Sequence, residues 1–352
     1  MKDTVWLHIG THKTGTTAIQ NTLDRYDDGT TRYARLMRPN HSLALSALFR
    51  DSKGAMNSLR NQGITGVAAE QWTAAARAKL MEELNSPARQ LVISAEGLAN
   101  FQADDLVRLR DAIAPLTRTF RVLAYVRDPL GYASSMFQQT VQNGKCAFVL
   151  PDLAYRPRLE PALQVFGRDA MEVVRFERDG LADGDVIADF CARTRIDRSR
   201  LHPKPANERL SAVATGLIYG FNQLPEATPG TKARFRARFA LIGRLAEVLP
   251  GKLRLDPDLV RGFVDPADLD WLAESWGVDF RAGLASAGPK AGDIGSENDL
   301  LRAREAARPA LEKLAARWLI RSHGRSIDEI LLRLYKSEIA RQTLIGVMLP
   351  RR

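Results

Sequence analysis

The run Ile9-Gly10-Thr11-His12-Lys13-Thr14-Gly15-Thr16-Thr17 concentrates residue types that hold a phosphate. Gly10 and Gly15 have the spacing of a nucleotide phosphate loop, where glycines let the backbone turn successive N–H groups toward one anion. An apolar run, Val5–Ile9, precedes the loop, and a helical pattern from Ala18 to Leu23 follows it. The loop therefore opens onto the partly positive end of a helix. Thr16 and Thr17 add hydroxyl donors. A Walker A loop carries lysine directly after its second glycine; here Thr16 stands in that place and the lysine lies inside the loop, as Lys13. That displacement argues against ordinary ATP or GTP hydrolysis and puts an ammonium beside whatever is attached at the far end of a phosphate chain. A strand-to-helix turn without a ligand is the plainer alternative.

A second constellation is Tyr125-Val126-Arg127-Asp128-Pro129, followed by Ser134-Ser135. Pro129 suits the first turn of a helix, where its missing N–H is not needed, and Asp128 suits the cap. Arg127 at a strand end offers a fixed fork of donors to a phosphate. Ser135 lies about two helical turns on, where it can return to the side of the strand end. The alternative is a capped helix whose arginine pairs with a nearby carboxylate.

Taken together, the two motifs resemble those of sulfotransferases that use 3′-phosphoadenosine 5′-phosphosulfate (PAPS), and His8–Thr17 is most similar to the bacterial members. The resemblance covers roughly residues 4–215 as an ordered layout and is weak beyond. It implies a P-loop-like three-layer α/β fold and a donor bound without a required metal. Lys13, Thr14, Gly15, Thr16 and Thr17 would hold the 5′-phosphosulfate, with Lys13 neutralising the bridging oxygen. Arg127 and Ser135 would hold the 3′-phosphate. Cytosolic members often add an Arg-Lys-Gly run, which Lys290-Ala291-Gly292 does not match. Asn207-Glu208-Arg209-Leu210-Ser211 is similar to a bacterial segment near the nucleotide.

Sulfuryl transfer also needs a base for the acceptor. Glu96, in Val92-Ile93-Ser94-Ala95-Glu96-Gly97, ends an expected central strand and is the first candidate. His12 is the second catalytic candidate, and His41 is another; His8 alternates into a buried strand and reads as core. A Gly-x-Ser-x-Gly elbow is absent, and the five histidines and two cysteines are scattered rather than set at metal-ligand spacing.

These residues need a scaffold. Apolar runs at Val5–Ile9, Gln90–Ser94, Phe120–Val126 and Met171–Phe176 read as strands. Helical stretches near 68–85, 102–114, 131–142 and 184–194 separate them. Alternation of this kind predicts an α/β fold, a three-layer sandwich with a mostly parallel central sheet. After residue 205 helices dominate, near 209–224, 231–248, 257–276 and 298–320. The expected organisation is a nucleotide-binding core over 1–205 and a helical C-terminal part over 206–352. Segment 29–75 is expected over the cleft.

The chain has 352 residues, with 51 Lys+Arg against 41 Asp+Glu. Twelve cations and five acids lie from residue 301 on, so +7 of the net +10 belongs to the tail. Its apolar residues Leu311, Leu314, Ala315, Trp318 and Leu319, and then Ile327, Ile330, Leu331 and Leu334, recur at helix spacing. This predicts amphipathic helices with a solvated basic face, suited also to peripheral contact with a membrane surface. Nothing there interleaves aromatics with cations as a nucleic-acid stacking surface would. Two cysteines favour a reducing compartment, and with no membrane-length apolar run a cytoplasmic location is expected. The acceptor is a small molecule or glycan, with a saccharide favoured by resemblance. Two other functions fit less well: a small-molecule kinase, which should carry lysine after Gly15 and a Mg²⁺-holding Asp, and a non-catalytic anion- or glycan-binding relative.

Overall fold

The computed structural model describes residues 1–11, 13–202, 210–227 and 231–348. In chain order its elements are β1 (Lys2–Ile9), α1 (Thr16–Leu23), β2 (Thr31–Tyr33), α2 (Ser42–Phe49), α3 (Ser52–Arg60), α4 (Val67–Asn85), β3 (Gln90–Ala95), α5 (Ala103–Ile113) and β4 (Thr117–Val126). There follow α6 (Pro129–Gln142), α7 (Arg156–Phe166), β5 (Met171–Arg175), α8 (Val186–Thr194), α9 (Ala212–Asn222), α10 (Lys232–Val248) and α11 (Pro257–Arg261). The last are α12 (Pro266–Trp276), α13 (Arg281–Ser286), α14 (Glu297–Ala303), α15 (Arg308–Arg317) and α16 (Ile327–Met348). Contacts group them into two compact units: residues 1–128, 154–206 and 265–282, and residues 129–153, 207–264 and 283–352. The sequence pattern suggests one boundary near 205; in the structure the chain passes between the units several times, because 129–153 packs with the later helices and 265–282 with the sheet.

The first unit is an α/β layer structure around a five-stranded parallel sheet of order β2-β3-β1-β4-β5. Side chains alternate along β1: Trp6 joins Val92, Leu123, Tyr125 and Val174 under α1 and α8, while Val5, Leu7 and Ile9 are buried on the other face. There α2 meets β3 and α7 meets β4 and β5. Burial on both faces is what continuous apolar strands require. His8 is buried, as its alternation predicts.

Some elements lie outside the sequence pattern. The strand β2 has only three residues, too few for a period. It is set by the turn before it, where the Asp28 carboxylate accepts N–H groups of Thr30 and Thr31, and by Arg32, whose guanidinium forks onto the Glu83 carboxylate at 2.6 and 2.9 Å. The helix α7 carries Pro157 in its first turn and Pro161 inside, which hides it from a propensity reading. Segment 29–75, expected over the cleft, contains β2, α2, α3 and the start of α4, and α2 packs on β3, α4 and α5. The expected helix 257–276 divides into α11 and α12, since Asp265 caps a new helix at Pro266.

The second unit is helical. Its core gathers Phe137 of α6, Leu217 and Phe221 of α9, Leu241 and Leu245 of α10, Leu311 of α15, and Leu331 and Leu334 of α16. The tail therefore buries the apolar stripes expected of it. Leu319 is the exception, 97% exposed, because α15 has ended and Leu319 itself turns at positive φ. Several tail cations are engaged locally: Arg304 with Asp328 at 2.8 Å, Arg308 with Glu312 at 3.3 Å, Arg325 with Glu329 at 4.0 Å. Buried Arg238 caps the end of α6, donating to the carbonyls of Gln142 at 2.7 Å and Val141 at 3.0 Å. Among the described residues no helix is long and apolar enough to cross a membrane.

A close approach in this unit yields a prediction. A Cβ on Gly216 of α9 would overlap the Leu300 carbonyl oxygen and meet the Arg304 backbone nitrogen at 3.4 Å. Alanine within a helix ordinarily gains about 1 kcal/mol over glycine. Gly216→Ala should instead lose about 1–3 kcal/mol through overpacking, read as a lower urea midpoint with an unchanged slope.

Candidate phosphate-loop site

Three adjacent strands end together. Ile9 pairs with Ala95 of β3 and Ala124 of β4, so Gly10 and Glu96 leave the sheet at one level and Arg127 just beyond. The chain runs from β1 out to one edge, returns through β3, and crosses β1 to β4, so the order reverses here. The crevice outside such strand ends is where parallel sheets bind ligands.

The loop is held from within. Thr11 Oγ1 donates to the carbonyl of Tyr125, hooking the loop to β4. Thr14 is buried, and its hydroxyl donates back to the Thr11 carbonyl at 2.7 Å, so this side chain braces the turn. Lys13 and Gly15 both adopt left-handed conformations, φ 67° and 77°. Gly15 is the N-cap of α1 and brings no side-chain acceptor to its first turn. Thr16 is buried and Thr17 exposed. Two glycines are sterically required: a Cβ on Gly10 would lie 2.5 Å from Thr16 Cγ2 and 2.9 Å from Glu96 Cγ, and one on Gly15 would lie 2.8 Å from Val186 Cγ1.

Arg127 lies across the loop. It is buried, donates from Nη1 to the Lys13 carbonyl at 3.2 Å, and has Nε 3.9 Å from the Asp128 carboxylate. Its own carbonyl accepts from the Tyr155 hydroxyl at 2.7 Å, and the Tyr155 N–H donates to Asp268 of α12 at 2.6 Å.

Glu96 opens a short 3₁₀ turn beyond β3 and is half-buried. Burial raises its carboxyl above the usual range, opposed by the Lys13 charge and a hydrogen bond with the Thr17 side chain. Burial lowers the Lys13 ammonium below the usual lysine range; Glu96 opposes this and Arg127 adds to it. Lys13 and Glu96 thus shift each other, and Arg127 adds to the lowering of Lys13.

Lys13, Thr14, Gly15, Thr16, Thr17, Glu96 and Arg127 therefore converge on one set of strand ends. Ser135 lies on α6, in the second unit. His12, like Asn207, Glu208 and Arg209, lies outside the described residues. His41 is a core residue: its Nδ1 accepts the Ser94 N–H at 3.1 Å, and burial takes its pKa down to about 3. Other supports went unread in the sequence. Ser42 Oγ accepts the Gly97 N–H at 2.8 Å, and Ser94 Oγ meets His8 Nδ1 at 2.8 Å and accepts from Gln20 Nε2 at 3.1 Å. Small polar residues carry no periodic signal, so only the Ser94 position, within the segment around Glu96, hinted at this. Comparison with known proteins adds no relative: no family model matches the chain, and no curated protein matches it.

Two substitutions test this architecture without any ligand. Gly15→Ala should lower stability by about 2–4 kcal/mol, adding a left-handed alanine to the overlap with Val186. Glu96→Gln should behave oppositely. A carboxyl raised in the folded state loses stability as pH rises from its unfolded value, about 4.3, through the raised folded one. The amide escapes this loss, so the variant's unfolding midpoint should equal or exceed that of the parent at neutral pH.

Proposed function

We propose that the protein is a PAPS-dependent sulfotransferase that moves a sulfuryl group to a hydroxyl or amine of an acceptor, with a saccharide the favoured class. The observation that carries this reading is the Arg127 donation to the Lys13 carbonyl, which ties the loop after β1 to the end of β4, with the Lys13 charge near enough to Glu96 and Arg127 to feel both. The P-loop-like character of the fold belongs to the same proposal. The residues fit a phosphate-ester donor: the loop has room only for glycine at two points, and α1 begins without a side-chain cap.

The donor supplies an activated sulfuryl group on a phosphate leaving group. Around it the loop amides, Thr16 and Thr17 hold the 5′-phosphate, and Arg127 holds the 3′-phosphate, the group that ATP lacks. Ser135 joins Arg127 on the strength of the sequence motif. Lys13 neutralises the bridging oxygen as its bond to sulfur breaks. Glu96 accepts the proton of the acceptor as the new bond to sulfur forms, and its raised pKa makes it a stronger base than an exposed carboxylate. His12 is the other candidate for that proton. No metal is required in this scheme.

Calorimetry with 3′-phosphoadenosine 5′-phosphate and with ATP is the direct test. Binding should favour the former by at least about tenfold, and Arg127→Ala should erase the preference, since losing a charge-assisted contact is worth about 1.5–3 kcal/mol. Equal affinity for ATP, unchanged in Arg127→Ala, rejects the donor assignment. Binding without turnover of labelled PAPS across an acceptor screen rejects catalysis.

The pH profile gives the sign of each role. Activity should fall as pH drops through the raised pKa of Glu96 and fall again as pH climbs through the lowered pKa of Lys13. Glu96→Gln should reduce kcat by about 10²–10⁴ and remove the acid limb. An acid limb that survives in this variant transfers the base to another group.

A further inference from the structure

The parallel ladder between β4 and β5 stops where Val126 meets Arg175, and its last bond runs from the Phe176 N–H to the Val126 carbonyl at 2.7 Å. Arg127 therefore stands one residue past the sheet. Its carbonyl accepts the Tyr155 hydroxyl at 2.7 Å, and its Nη1 donates to the Lys13 carbonyl at 3.2 Å. Backbone and guanidinium of one residue are thus tied to different parts of the first unit. Arg127 and Tyr155 are both buried.

Tyr155 is in turn fixed from far along the chain. It is the N-cap of α7, and its own side chain gives that helix no cap. Asp268 of α12, 113 residues on, supplies one: its two carboxylate oxygens accept the N–H groups of Tyr155 and Arg156, each at 2.6 Å. A carboxylate in this place also meets the positive end of the α7 dipole. Asp268 is 8% exposed, so its position depends on how segment 265–282 is seated. Two arginines seat that segment. Arg168 donates to the Ser275 carbonyl at 3.1 Å and lies over the Trp276 ring at 4.1 Å, and Arg175 lies over the Phe280 ring at 5.1 Å. The Phe280 ring also neighbours that of Tyr155, with centroids 6.0 Å apart.

We propose that Tyr155 and Asp268 are positioning residues for Arg127, and that through it they set the preference for a 3′-phosphorylated donor. The proposal rests on the reading of Arg127 as the 3′-phosphate contact. A planar guanidinium fork makes paired bonds to a phosphate only in the right direction, and such contacts tolerate errors of about 0.5 Å. With the sheet ending at Val126, the Tyr155 hydroxyl holds the peptide from which that fork extends. Capping α7 accounts for Asp268 alone; it does not account for the hydroxyl turned onto the Arg127 carbonyl. Discrimination against ATP then depends on a carboxylate that belongs to neither phosphate motif.

Tyr155→Phe deletes one oxygen and keeps the ring. By calorimetry it should weaken binding of 3′-phosphoadenosine 5′-phosphate about tenfold and leave ATP binding unchanged, with Asp268→Asn acting in the same direction. In an Arg127→Ala background Tyr155→Phe should have no further effect on either ligand, because the coupling runs through Arg127. A tyrosine that only supported the fold would weaken both ligands alike and add to Arg127→Ala. A second readout needs no nucleotide: phenylglyoxal labelling of Arg127, mapped by mass spectrometry below the unfolding transition, should quicken severalfold in both variants. Positioning is overturned if Arg127 of Tyr155→Phe labels at the parent's rate, or if that variant keeps the parent's preference over ATP. A parent without any such preference rejects the donor reading instead, and the labelling rate then decides positioning by itself.

Discussion

A strand that is paired on both sides and covered on both faces can leave its sheet only at its end, and β1 is such a strand. Its neighbours β3 and β4 run parallel to it, β3 stopping at the same level and β4 two residues on, so three chain segments exit at neighbouring strand ends. Everything about the candidate site follows from that crowding. The loop after Ile9 must turn at once, hence the left-handed Lys13 and Gly15, and it must clear Thr16 and Glu96, hence Gly10. Hydrogen bonds from Thr11 and Arg127 then tie the turned backbone to β4.

The same crowding produces the electrostatics. Lys13, Arg127 and Glu96 lose water because three strand ends, α1 and the turn after β3 surround them. In bulk water such charges would interact weakly; with solvent reduced, Lys13 and Glu96 perturb each other and Arg127 perturbs Lys13. The Lys13 ammonium and Glu96 carboxyl are pushed toward their neutral forms by burial and pulled back by each other. Groups poised in this way are suited to moving charge and protons. The polar supports beneath them, buried Ser94 with His8, Gln20 and His41, and half-buried Ser42 with Gly97, flank the point where Glu96 leaves its strand.

In the helical unit, arginine does a different kind of work. Arg238 ends one helix from within, and Arg304 crosses the glycines of α9 to reach Asp328. Of the basic tail, Arg302, Arg304, Arg308 and Arg325 pair with carboxylates of this unit.

By itself the sequence determined the parallel α/β class, the strands β1, β3, β4 and β5, and the loop from Gly10 to Thr17, because apolar runs and a Gly-bounded loop are local signals. It also marked Glu96 and Arg127 as residues ending strands. Tertiary structure alone decided that β3 and β4 flank β1, and so that Glu96, Lys13 and Arg127 meet. It also decided that the Thr14 hydroxyl braces the loop, that His41 sits in the core, that residues 129–153 join the later helices, and that a three-residue strand and a proline-bearing helix exist at all. The reason is physical: periodicity reports which face of an element is buried, whereas strand order and hydrogen-bond partners depend on residues far apart in the chain.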